Sequence, residues 1–555
     1  MNPRVRLVVP AALASVLALT ALPAAGATSS SSDPLGRINH IVVIYEENHS
    51  FDNLYGGWEA VNGRASADAG HTTQIGQAGA PYHCLLQNDV NLTSPDPLSP
   101  DCTDTTTATT FVSHFLNTPF SIETYIPTTA RTCPPPGAFM ANGFKAGTGD
   151  PGGCTRDIVH RFYQEQYQLN NGQQNRYTTG SDAVGLTQGY YDTRALPIYK
   201  YLHGDDHPKY AIADNFFQGA FGGSFLNHQW LIAGATPTYP GAPATLHSII
   251  DSNGMPNGTY PLYHPTGPVR DGAVTQVCPS AVSGRACGDY AVNTIQPTYQ
   301  PTSSSTTKLP PQTGTTIGDE LSAASVSWAW YSGGWSNADG DVGAPGWTNG
   351  AAACTDPNSF PNPAWPYCPN KVFQFHHQPF NYYASFAPGT PGRSHLRDEA
   401  EFLDLTHSSS TTCNLNSVSF IKPVGLENEH PGYTSESRGS DHLVGLLKDI
   451  QGSACRKDTM VVVAYDEFGG QWDHVAPPGQ GGTAGPHDLW GPGTRIPALV
   501  VSPFLHGDFV LDNTQHDTTS ILATIENRFG LAPLGSRDAA VKDLSSVFTA
   551  KQVGD

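Results

Sequence analysis

Two groups of acidic side chains stand where short apolar runs end. The run 41–45 (Ile-Val-Val-Ile-Tyr) passes straight into Glu46, Glu47 and Asn48, and the run 460–465 (Met-Val-Val-Val-Ala-Tyr) passes straight into Asp466 and Glu467. A continuous run of Val, Ile and aromatic residues suits a strand covered on both faces. In an open parallel sheet, ligands bind beyond the carboxyl ends of such strands. Hard oxygen donors gathered from two strand ends make a site for a divalent cation. One acid pair alone reads as a surface cap; two pairs, each inside a longer polar motif, point to a metal. Ser224 follows Gly222 and Gly223, which allow close backbone approach. No Gly-x-Ser-x-Gly elbow surrounds it, which argues against an ordinary esterase triad. The glycine pairs at 56–57 and 333–334 lack the Lys-Ser/Thr of a phosphate-binding P-loop.

The motifs around these residues can be read in order. The first is Glu47-Asn48-His49-Ser50-Phe51-Asp52-Asn53. Next come Phe216-Phe217-Gln218, leading to Gly222-Gly223-Ser224-Phe225-Leu226-Asn227-His228, then His376-His377-Gln378-Pro379-Phe380, then Asn428-Glu429-His430-Pro431-Gly432. The last begins Tyr465-Asp466-Glu467-Phe468-Gly469-Gly470 and runs through Trp472-Asp473-His474 to Pro478. Together these blocks resemble the signature of the phosphoesterase family that unites bacterial acid phosphatases with bacterial phospholipases C, and the resemblance spans 38–531.

That resemblance implies an alkaline phosphatase-like fold in which Glu47, Asn48, Ser224, Asp466 and Glu467 hold a divalent metal ion of a kind the oxygen donors leave open. It implies Ser224 as nucleophile, and His377, His430 and, on a weaker match, His160 as residues lining the phosphate site. One of these would protonate the leaving oxygen while others bind phosphate, roles that suit imidazole because it changes charge near neutral pH. His474 remains open between function and structure, and His376 and His228 are expected to support their neighbours by hydrogen bonding. Metal coordination would activate the serine hydroxyl, a weak nucleophile at its free pKa. The expected activity is that of an acid phosphatase acting on phosphate monoesters through a phosphoserine. The alternative is a phospholipase C cleaving phosphatidylcholine-type lipids. The serine at the nucleophile position and the short stretch after the last core helix favour the phosphatase branch. A third reading, a binding protein that kept the fold, is opposed by the intact set of metal and nucleophile positions.

The elements that must position these residues are legible in outline. Apolar runs at 41–45, 210–213, 326–331, 418–421, 460–465 and 496–501 predict strands. The segments 441–450 and 518–529 predict helices, the second with Asp517 as N-cap. Alternation of the two predicts an α/β fold, a mostly parallel sheet between helix layers. Two stretches rich in Gly, Pro, Ser and Thr, 64–135 and 253–314, predict long loop insertions pinned by cysteines.

Residues 1–27 carry the marks of an export signal: Arg4 and Arg6, an apolar run from 7 to 22, and Ala25-Gly26-Ala27 as a cleavage pattern. The run is short and is broken by Pro10 and Pro23, so no stable membrane anchor is expected. The remainder, 28–555, is expected to form a single catalytic domain in a secreted protein. Ten cysteines without a Cys-x-x-Cys pair fit an oxidising compartment, with up to five disulfides and sequential neighbours as plausible partners. The formal net charge of -20 argues against nucleic acid as a partner and makes a phosphate ester dependent on local positive charge.

Overall fold

The apolar runs become strands of one nine-stranded sheet in the computed structural model, which describes residues 34–86, 102–106, 110–113, 115–124, 155, 157–279, 282–303, 305–347 and 373–554. In chain order the strands are β1 (His40–Glu46), β2 (Tyr210–Ala213), β3 (Trp328–Ser332), β4 (Leu396–Asp398), β5 (Val418–Lys422), β6 (Thr459–Tyr465), β7 (Ala498–Val501), β8 (Phe509–Asp512) and β9 (Lys551–Gln552). Across the sheet the order is β4-β3-β5-β1-β6-β7-β2-β8-β9. The block from β4 to β6 is parallel throughout. β7 runs antiparallel to β6 and β2, β8 is parallel to β2, and the edge strand β9 is antiparallel.

Every residue of β5 and β6, and all of β1 except His40, is buried. Strands of this kind need cover on both faces. The principal helices are α1 (Phe51–Leu54), α2 (Phe162–Gln168), α3 (Ser224–Ala233), α4 (Glu399–Ser408), α5 (Glu436–Gly452) and α6 (Thr519–Phe529). α6 packs on α3, while α4 packs on α5 and β3.

The fold class matches the expectation, with local differences. The run 496–501 does form a strand, but it is antiparallel; an apolar run records burial and carries no direction. The run 326–331 pairs from Trp328 onward. The helix expected at 441–450 begins a turn earlier, where the Ser435 side chain accepts the Arg438 N–H. Asp517 does accept a helix N–H, that of Thr519 at 2.7 Å, although the boundary falls at Thr518.

Disulfides join Cys84 to Cys102, Cys278 to Cys287 and Cys413 to Cys455, each a pair of sequential neighbours. The first two pin the two insertions. The export segment 1–27 and Cys133, Cys154, Cys354 and Cys368 lie outside the described residues. Among the described residues no helix is long and apolar enough to cross a membrane.

Leu447 of α5 is fully buried in the core. Leu447→Ala is expected to cost about 2–5 kcal/mol through lost transfer energy and the cavity left behind, read as a fall in the urea midpoint at unchanged slope.

Candidate active site and metal centre

The pairing register of β1 with β6 brings the two acid motifs together. Glu46 stands opposite Tyr465, so the next residues, Glu47 and Asp466, leave the sheet side by side. Asn48 then turns into the left-handed region at φ +57°, where Asn is tolerated better than most residues. The turn is held by its N–H, which donates to Asp466 Oδ1 at 3.2 Å. Gly469, also left-handed at φ +62°, lies against it; a Cβ there would sit 2.3 Å from the Asn48 carbonyl oxygen. Only glycine lets the two loops approach this closely.

Ser224 opens α3, which has no side-chain cap at its N-terminus. The two glycines before it are tightly wedged: a Cβ on Gly222 would meet the Phe162 nitrogen at 2.8 Å, and one on Gly223 would meet the His160 ring at 2.8 Å. Buried Glu165, on α2, accepts the Gly222 N–H at 2.5 Å, along with the Thr494 N–H and hydroxyl. Gln218 donates to Glu165 and to the carbonyls of Ala220 and Gly222, and accepts the Phe468 N–H at 3.0 Å. Asn227 accepts from Ala220 and donates back to Gly222. The serine loop is thereby fastened both to α2 and to the loop carrying Asp466 and Glu467.

All five expected metal-site residues converge. The Ser224 hydroxyl lies 3.2 Å from Glu47 Oε2, 3.3 Å from Asn48 Oδ1 and 3.3 Å from Glu467 Oε1. One hydroxyl proton cannot satisfy three oxygens. Asp466 directs Oδ1 to the Asn48 and Glu467 N–H groups, while its buried Oδ2 has no hydrogen-bond partner among the described residues. Crowded hard oxygens and an orphaned carboxylate atom fit a divalent cation. Glu47, His228 and His377 also bring one ligand atom each within 4.8 Å of one another. His228 Nδ1 lies 2.8 Å from the Ser224 carbonyl while its buried Nε2 has no hydrogen-bond partner among the described residues, and His377 Nε2 lies 2.8 Å from Glu47 Oε1.

Charge at the centre is strongly unbalanced. Burial opposes ionisation of Glu47, but His377 and Lys422 outweigh it and hold the carboxyl well below its usual range. Lys422 Nζ lies 2.5 Å from Glu47 Oε1 and donates to the carbonyls of Tyr45 and Glu46. Burial, then repulsion from Glu47, pushes Asp466 up to about 8. Burial, then repulsion from Asp466, raises Glu467 well above a normal carboxyl. A bound cation would reverse that cost.

A cavity of about 330 Å³ opens above Ser224, lined among others by His160, His376, His430, Tyr433 and Asn293. His160 reaches Glu467 Oε1 at 3.3 Å, and His430 Nε2 lies 3.2 Å from Asn48 Nδ2 and 3.7 Å from Glu47 Oε2. His377 turns inward to Glu47 and stacks on His228, whereas its neighbour His376 lines the cavity. Burial lowers the pKa of His376, His377 and His430, that of His377 to about 4. The insertion 253–314 contributes Val292, Asn293 and Thr294 to the cavity wall.

The sequence profile of the Phosphoesterase family matches residues 38–532. The chain belongs to this family. It is 35% identical over 159 residues to phospholipase C B of Mycobacterium tuberculosis, 24% of this chain and 29% of that protein. It is 30% identical over 183 residues to a non-hemolytic phospholipase C of Burkholderia pseudomallei, 27% and 25% of the two chains, and 28% identical over 138 residues to non-specific phospholipase C6 of Arabidopsis thaliana, 21% and 26%. These alignments thus span less than a third of each curated relative. A solved structure of a protein in the alkaline phosphatase superfamily from Vibrio parahaemolyticus aligns over 70% of this chain and 72% of its own, at a TM-score of 0.27 and 12% identity.

The motif residues beyond the oxygen donors form a clasp. Asp52 accepts the His474 N–H at 2.9 Å, Asp473 accepts the Asp52 N–H at 2.9 Å, and Ser50 donates to the Trp472 carbonyl at 2.6 Å. Arg495, wholly buried, bridges Asp473 and Asp52. His474 thus stands against Asp52, at 2.5 Å, and outside the cavity lining. Sequence reasoning did not single out Lys422, Glu165 or Arg495. The only available signal was that Lys422 directly follows an apolar run.

His49 ties the first motif to α5. Its Nδ1 lies 2.6 Å from Asn53 Oδ1, and its Nε2 lies 3.0 Å from the Glu429 carbonyl and 3.2 Å from Glu436 Oε1. Burial pulls its pKa down, but Glu436 and then Glu429 outweigh this and set it at about 9 instead of 6.5. A raised pKa stabilises the fold fully below the unfolded value and ceases to do so as pH rises through the folded one; the window is therefore about 6.5 to 9, worth about 3 kcal/mol at most. His49→Gln should destabilise the protein to urea more at pH 6 than at pH 9.5. An equal gap at both would mean the ring carries no proton-linked charge.

Proposed function

We infer that this chain is a metal-dependent phosphoester hydrolase that uses Ser224 as nucleophile, with phosphate monoesters as substrates and an acidic pH preference. The observation that carries the reading is the Ser224 hydroxyl at the floor of the cavity, 3.2–3.3 Å from oxygens of Glu47, Asn48 and Glu467. Glu47, Asn48, Ser224, Asp466 and Glu467 would hold the divalent ion, which when bound supplies positive charge that favours the alkoxide and offsets phosphoryl charge.

The chain's own residues do the rest. Ser224 Oγ attacks phosphorus opposite the ester oxygen, and its proton passes to a carboxylate oxygen already within reach. The P–O bond to the leaving group breaks, and that oxygen takes a proton from His160 or His430 on the cavity wall. Uncapped N–H groups at the start of α3 face phosphoryl oxygens. Water then attacks phosphorus and releases Ser224, with the same histidine acting as base. Gly222 and Gly223, held through Glu165, Gln218 and Asn227, keep the serine aligned for both steps.

A second reading, a phospholipase C, is favoured by the names of the curated relatives. A cavity of about 330 Å³ accommodates a small ester or a lipid headgroup; the acyl chains would remain outside it.

Hydrolysis of a chromogenic phosphate monoester from pH 4 to 9, beside hydrolysis of a short-chain phosphatidylcholine, separates the two. The expected result is monoester turnover peaking below pH 7, reduced about a thousandfold or more in Ser224→Ala, abolished by chelation and restored by a divalent metal. Turnover of the lipid alone would replace the monoesterase reading with the phospholipase one. Full activity in Ser224→Ala would remove the nucleophile named here.

A further inference from the structure

A second cavity, of about 580 Å³, shares no lining residue with the one above Ser224, and none of its lining residues takes part in the chemistry proposed for the serine. Its walls include Gln166 near the end of α2, Phe221, Arg285 from the second insertion, and Gln480, His487 and Leu489 from the loop that follows the Asp466 motif. Arg285 donates to Gln166 Oε1 at 2.5 Å. Among the described residues no carboxylate oxygen comes within 4.0 Å of its guanidinium nitrogens. In a chain with 28 Lys and Arg against 48 Asp and Glu, an arginine facing no acid in a cavity wall stands out. The one carboxylate in the lining, Asp488, is engaged by Arg537 at 2.5 Å.

Arg285 is also held in place. The Cys278–Cys287 disulfide closes the loop that bears it, and the next residue, Ala286, accepts hydrogen bonds at its carbonyl from Tyr163 of α2 at 2.5 Å and from Gln276 at 3.3 Å. Pro478, Gly479 and Gln480 also line the cavity, at the start of a glycine-rich turn packed on Asn171 and Gly172; Asn171 Oδ1 accepts the Gly481 N–H at 3.3 Å. A planar guanidinium on a rigid loop, with donors left over, is the arrangement that recognises a two-oxygen anion face.

The geometry points to this cavity as a second anion-binding site that takes a small phosphate-bearing molecule, its phosphate on Arg285 and any organic substituent between α2 and the 478–491 loop. The site is distinct from the Ser224 centre and adjoins it through Phe221, which directly precedes Gly222 and Gly223. A ligand seated there touches α2, whose Glu165 accepts the Gly222 N–H, and the 478–491 loop, whose Trp490 carbonyl accepts the Phe221 N–H at 2.7 Å.

The test is calorimetric titration of the whole chain with inorganic phosphate and, separately, with phenylphosphonate, a non-hydrolysable probe carrying an organic group. In wild type, at least one of the two probes should show a binding event that Arg285→Met weakens about tenfold or more, while any event at the serine centre persists. A stronger effect with phenylphosphonate would place the organic group in the cavity, and equal effects would assign the site to free phosphate. Identical isotherms for wild type and variant with both probes would overturn the proposal. A wild-type measurement covers the case of a misfolded variant: phosphate should slow phenylglyoxal modification of Arg285, mapped by mass spectrometry, and leave exposed Arg456 unchanged. Equal modification of Arg285 with and without phosphate would overturn the proposal as well.

Discussion

The arrangement depends on one costly feature: four acidic side chains, Glu46, Glu47, Asp466 and Glu467, are fully buried at the ends of two adjacent parallel strands. Like charges taken out of water repel one another and lose hydration, and each effect alone raises a carboxyl pKa. The described residues answer with one buried ammonium, Lys422, beside Glu47. Together with His377 it keeps Glu47 ionised, while Asp466 and Glu467 remain raised. The deficit is local and directional, and a divalent ion would offset it.

Holding such a cluster in place requires support that the oxygen donors cannot give themselves. The structure supplies it twice over. On one side, Arg495 with Asp52 and Asp473 locks the first motif to the last. A buried pair of this kind adds little net stability compared with apolar packing, but losing one partner strands a charge, so its contribution is better read as alignment. On the other side, Glu165 and Gln218 fasten the Gly222–Gly223 turn to α2 and to Phe468. The motifs extend well beyond the oxygen donors because three of these fastening residues, Asp52, Asp473 and Gln218, lie within them.

Much of this was legible in the sequence, for identifiable reasons. Strands buried on both faces appear as unbroken apolar runs, so acids that follow such a run are placed at a strand end without further information. Glycines next to Ser224 announce close backbone approach. Strand direction is not encoded this way, and the antiparallel course of β7 was hidden. Nor can sequence tell which of two adjacent histidines on a tight turn faces inward: His377 reaches Glu47 while His376 faces the cavity. Isolated residues such as Arg495 and Glu165 belong to no period or motif spacing. Their partners come from distant elements, so they emerge only once those elements have met.

The same division separates chemistry from selectivity. The oxygen cluster and Ser224 sit on strand ends and a helix start, elements whose register is enforced by a buried core and which tolerate little displacement. The cavity above them borrows Val292, Asn293 and Thr294 from the second insertion and His160 from the segment before α2. Loops of this kind can change length and side chains without disturbing the sheet beneath. These loops can therefore change what the cavity admits while the oxygen cluster beneath stays unchanged.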